Sequence, residues 1–82
     1  MNGSYPKPGD LYLHPSYPGW IWGFVREHNN PRVGWWRLVL RLPNAEWPRH
    51  RDVPEIGDLR ELGYSTLDPI SEMEVIALAA QG

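Results

Sequence analysis

The residues able to do chemistry in this chain are scattered, and the scatter itself is informative. His14, His28 and His50 lie on three separate segments, with none of the paired spacing that sets two metal ligands on one helix face. Each reads as a surface or loop histidine. Ser16, Ser65, Thr66 and Ser71 sit in turn-like or cap-like contexts, where a hydroxyl serves nearby backbone groups rather than a base that would activate it. Asp52, Glu55 and Asp58 offer acid and base in principle, but in a proline-broken stretch they read as solvated loop acids. There is no cysteine, so thiolate catalysis, disulfides and Cys-bound zinc are excluded. No two glycines lie closer than four residues apart, so no phosphate-cradling loop is present. These observations predict no enzyme, no metal and no cofactor.

The stronger constellation is basic and aromatic. If residues 34–42 run extended, Trp36, Leu38, Leu40 and Leu42 share one face, and Trp35, Arg37, Val39 and Arg41 share the other. The first set is core. The second mixes indole, aliphatic and guanidinium groups, the composition enriched where proteins grip partners. Arg26 or Arg32 would join it from the preceding segment. Arg49-His50-Arg51, next to Trp47, forms a second cationic spot. Seven of the eight positive residues are Arg, whose planar fork bonds two oxygens of a carboxylate or phosphate at once. The candidate partner-binding residues are therefore Trp35, Arg37, Arg41, Trp47, Arg49 and Arg51. The competing structural reading has the C-terminal Ile76-Ala77-Leu78-Ala79-Ala80 covering Trp35 and Val39, with the arginines merely flanking them.

These side chains need a sheet to hold them. Residues 1–9 read as an extended, proline-rich arm, followed by a short strand at Asp10–His14 that Pro15 stops. Ser16-Tyr17-Pro18-Gly19 reads as a second proline turn. Trp20–Glu27 alternates as a strand and, through the Asn-Asn-Pro loop of residues 28–33, forms an antiparallel hairpin with the 34–42 strand. Gly23, in mid-strand, marks a bend and argues for a curled sheet. Residues 43–58 form one long loop, with Trp47 expected to pin it to the core. Asp58–Leu62 reads equally as a helical turn or a strand. Ser71-Glu72-Met73-Glu74 fits a capping box, flanked by Ile70 and Val75 as a hydrophobic staple, and predicts a helix over 72–80. The fold class is mainly β, or small α+β: a curled antiparallel sheet with a short C-terminal helix. The Pro8-Gly9-Asp10 lead into a short strand and then a long hairpin resembles an SH3-like half-barrel in pattern alone.

Eighty-two residues allow one small domain, which must use its five Trp, four Tyr and one Phe to build a core. The N-terminus lacks the basic start and apolar run of a signal peptide, and no apolar run is long enough to span a bilayer, so a cytoplasmic protein is expected. Residues 1–52 carry seven Lys/Arg and four Asp/Glu, net +3; residues 53–82 carry one Arg and six Asp/Glu, net −5. The plain reading is that the two halves attract each other across the fold. A sequence pI near 5.8 disfavours nucleic acid and favours a protein partner. The sequence therefore predicts a non-enzymatic protein-interaction module, an adaptor or a small inhibitor of a larger protein machine, of the kind a phage or plasmid would encode. Single-stranded nucleic-acid binding is the alternative, and a small enzyme or ligand binder using residues 43–58 comes third. A homodimer would also satisfy an apolar strand face, and no membrane association is expected.

Overall fold

Alternating aromatic and aliphatic residues build five antiparallel strands in a computed structural model that describes residues 6–47 and 53–81. They are β1 (Leu11–His14), β2 (Tyr17–Glu27), β3 (Val33–Arg41), β4 (Leu59–Gly63) and β5 (Asp68–Pro69), and helix α1 (Glu72–Ala79) comes after them. The order across the sheet is β4-β3-β2-β1-β5. The undecided stretch near Leu59 is thus a strand, paired with β3 from Val33↔Gly63 to Arg37↔Leu59. The described residues contain no helix long and apolar enough to cross a membrane.

The sheet has to curl. β4 and β5 are its two edges, yet one 3-10 turn, Tyr64–Thr66, carries the chain between them. Four strand spacings would put the edges of a flat sheet about 19 Å apart. One such turn with its flanking residues spans about 13 Å. The edges approach without pairing, so the sheet is curled and remains open.

Inside the curl lies an aromatic cluster of Trp20, Trp22, Phe24, Trp36, Leu38, Leu62 and Leu67, with Tyr12, Tyr17 and Tyr64 packed against it. Rings meet edge to face: Phe24 and Trp36 at 5.1 Å, Tyr12 and Trp36 at 5.0 Å, geometry that sets a ring's positive edge against its neighbour's negative face. The opposite, outer face carries a second cluster of Ile21, Leu42, Ile70 and Val75, joined by Leu11, Leu13, Leu40 and Leu78. Helix α1 covers this cluster. Its capping box is complete, with the Glu74 N–H donating to Ser71 Oγ at 3.1 Å and the Ser71 N–H to the Glu74 carboxylate at 3.0 Å. Ile70 and Val75 are both buried there, as the staple requires.

Two features of the fold depart from strict alternation. The register passes from Ile21↔Leu40 to Trp22↔Leu38, so Val39 is an extra residue in β3, and a second shift falls between Phe24 and Arg26. Each bulge turns the residues beyond it onto the opposite face. Leu40 therefore lies with the outer cluster, and Arg41, opposite Trp20, lies on the inner side. The second departure is at Tyr17-Pro18-Gly19. The expected turn belongs instead to β2, which bulges there, the register jumping from Leu13↔Ile21 to His14↔Tyr17. Gly19 has φ +84°, and a Cβ on it would meet the Ala45 Cα at 2.6 Å, so the loop after β3 docks where only glycine fits.

Candidate functional site

The bulge at Val39 divides the expected Trp–Arg face in two. Trp35, Arg37 and Val39 remain on the outer side, whereas Arg41 has crossed to the inner side. Arg49 and Arg51 lie outside the described residues.

Arg41 and Trp47 form the first surface. Residues 42–46 clamp onto the β2 bulge through the Leu42 N–H to the Gly19 carbonyl at 2.8 Å and the Glu46 N–H to the Pro18 carbonyl at 3.0 Å. The Trp20 indole N–H then donates to the Glu46 carbonyl at 2.7 Å. This fixes the next residue, Trp47, edge-on to Trp20 at 5.4 Å and 88°. The Arg41 guanidinium sits 5.3 Å from the Trp20 ring and 4.8 Å from the Trp47 ring, a distance at which a cation is attracted to the indole face. Trp47 is held against the core and is still 63% exposed. With Val53, Pro54, Glu55 and Ile56 these residues line an open groove of about 520 Å³.

The second surface is the part of the outer face that helix α1 leaves uncovered. Strand register sets Glu61, Trp35 and Arg26 in one row and Leu59, Arg37 and Gly23 in the next, with Val39 beyond. Trp35 belongs to neither apolar cluster, and α1 lies over Ile21 and Leu42 instead. The His28 ring lies 5.1 Å from Trp35 at 38°, and the Arg26 guanidinium 6.0 Å from its centroid. His28 Nδ1 accepts the Asn30 N–H at 2.9 Å, which leaves its Nε2 facing the Glu61 carboxylate. Loop, strand and indole are thereby tied together. Val39 is 39% exposed and Leu59 44%.

The expected attraction between the halves does not consume the arginines of β2 and β3. Arg60 lies 3.6 Å from Asp58, within its own half. His28–Glu61 links the halves, but no carboxylate among the described residues pairs with Arg26, Arg32, Arg37 or Arg41. Arg26 and Arg32 are visible in the sequence as cations near a turn. Their joint lack of carboxylate partners is not, because it depends on where the acids of the second half fall.

No group of three or more His, Asp or Glu among the described residues is placed to hold a metal. His14 is buried enough that its pKa lies below the ordinary imidazole value, and its ring is used in packing and backbone contacts. Comparison with protein-family models, with curated proteins and with solved structures finds no match to this chain.

Proposed function

We propose that this chain is a non-enzymatic protein-interaction module, an adaptor or small inhibitor that grips a larger protein through its Trp–Arg surfaces. The observation that carries the reading is the set of four guanidinium groups on β2, β3 and their hairpin that find no carboxylate among the described residues, beside Trp35 and the exposed Trp47. An arginine left without a carboxylate in a chain of net charge −2 is not there for want of acids. Indole and guanidinium side chains dominate binding energy at protein interfaces because they combine large area with directed hydrogen bonds. The strand order and the 3-10 link between the edge strands are consistent with an SH3-like half-barrel. A cytoplasmic setting, in the manner of a phage- or plasmid-encoded inhibitor, is compatible with a small chain without cysteine.

The test is purification of the tagged chain from host lysate with and without nuclease, alongside Arg41→Glu and Arg37→Glu variants whose circular dichroism matches the wild type. One stoichiometric protein that survives nuclease and is lost with either variant supports the module. Bound material that vanishes with nuclease, with affinity falling steeply as salt rises, overturns it in favour of single-stranded nucleic acid.

A further inference from the structure

We propose that the uncovered part of the outer sheet face binds an acidic, extended segment of a partner protein, with carboxylates on Arg37 and Arg26 and an apolar side chain over Val39 and Leu59. This inference rests on the interaction-module reading and assigns that module one surface and one chemistry of partner.

Charge complementarity carries it. Arg26 and Arg37 are exposed, have no carboxylate partner among the described residues, and occupy neighbouring rows of the same face. The carboxylate nearest to them in the register, Glu61, is engaged by His28. What remains is a surface with two available guanidinium groups around two half-exposed aliphatic side chains. Such a surface lacks anions and apolar cover, and an acidic segment with an apolar residue between its carboxylates supplies both.

The occupant is a polypeptide rather than a nucleic acid, because the stacking platform is already in use. A base needs an open ring face, and Trp35 has His28 tilted against its ring and Arg26 beside it. A second copy docked through this same face is disfavoured by charge, because it would set Arg26 and Arg37 against the same cations of its twin.

The experiment is selection of a random peptide library on the full-length chain, then polarisation titrations of the enriched peptides. The titrations compare the wild type with Arg37→Glu, Arg37→Gln and Lys7→Glu. Lys7→Glu makes the same change in net charge at an exposed site that belongs to neither row of this face. The expected result is peptides with at least two Asp or Glu flanking an apolar residue. Their affinity should fall about tenfold or more in Arg37→Glu and less in Arg37→Gln, and hold in Lys7→Glu. Unchanged dichroism in Arg37→Glu keeps the reading free of misfolding. Enrichment of neutral or basic peptides, of peptides lost with Trp47→Ala rather than Arg37→Glu, or of none would overturn the inference. Each would leave the module intact if a lysate protein is still captured. Arg37-dependent binding of a thymidine oligonucleotide with steep salt dependence would overturn both.

Discussion

A Cβ placed on Gly23 would lie 2.9 Å from Cγ2 of Val39, closer than two such carbons tolerate. Gly23 faces the bulge of the neighbouring strand, and its missing side chain is the space that the extra residue occupies. The one glycine in mid-β2 and the one misplaced aliphatic of β3 are therefore a single device. It sends Arg41 inward to Trp20 and Trp47 and leaves Arg37 outside.

Gly23→Ala should accordingly destabilise the fold by about 1–3 kcal/mol, the ordinary range for overpacking. Val39→Ala in the same chain should return much of that loss by removing the offending methyl. Urea unfolding of the two single variants and the double variant measures the coupling. Additive losses would show that Gly23 is required for some other reason.

Trp20 and Trp47 touch but should contribute very differently. Trp20 is fully buried and bonded to the Glu46 carbonyl, so Trp20→Ala should cost about 3–5 kcal/mol. Trp47 offers one exposed ring contact and one cation–π contact, so Trp47→Ala should cost about 1 kcal/mol. Denaturation monitored by far-ultraviolet dichroism separates them. Equal losses would make the loop part of the core and remove Trp47 as a free contact.

How far the sequence can be read divides along local and nonlocal lines. The β2–β3 hairpin and the capping box at Ser71 and Glu74 are legible because each rests on residues close in the chain, whereas the curl is signalled by Gly23 alone. The strand at Leu59–Gly63 is not, since Leu-Arg-Glu-Leu fits a helical turn equally well and only pairing with β3 decides it. The face of Arg41 escapes the sequence pattern for a like reason. Alternation counts correctly until a bulge, and the bulge at Val39 is specified by Gly23, sixteen positions earlier. Trp47 touches the core only edge-on at Trp20 and is 63% exposed, so the burial that its residue type predicts is not realised, and backbone bonds from Leu42 and Glu46 hold the loop instead.

The start of α1 offers a test of local energetics. Ser71→Ala removes the acceptor for the Glu74 N–H and should cost about 1 kcal/mol. Glu74→Gln keeps an oxygen for the Ser71 N–H and should be milder. The Ser71 N–H donating to it, and secondarily the Ser71 hydroxyl beside it, hold the Glu74 carboxyl below its usual pKa. The carboxylate's support is therefore present at neutral pH and is lost as pH falls through that lowered value. Thermal melts of both variants at neutral pH give the ranking; a larger loss in Glu74→Gln would contradict it.

His14 should make the fold acid-sensitive near neutrality. Its Nδ1 accepts the Ser16 N–H at 3.0 Å, which requires that nitrogen to carry no proton. The ring proton then sits on Nε2, 3.2 Å from the Thr66 hydroxyl oxygen, and that hydroxyl donates to the Gly63 carbonyl at 2.9 Å. The chain of bonds ties β1 to the 3-10 link, where the two edges of the sheet approach. A charged imidazolium would lose the Ser16 N–H and gain no anion, its ring neighbour being Tyr17 at 5.7 Å. Burial lowers the His14 pKa below the ordinary value of 6.5. Below that value the unfolded chain binds a proton that the folded chain resists, so stability is full above about pH 7 and declines as pH falls through 6.5, levelling off beneath the folded pKa. Urea midpoints across this range should fall toward acid in the wild type and fall less in His14→Gln. A slope that His14→Gln leaves unchanged would mean that the His14–Thr66 link does not hold the sheet edges together.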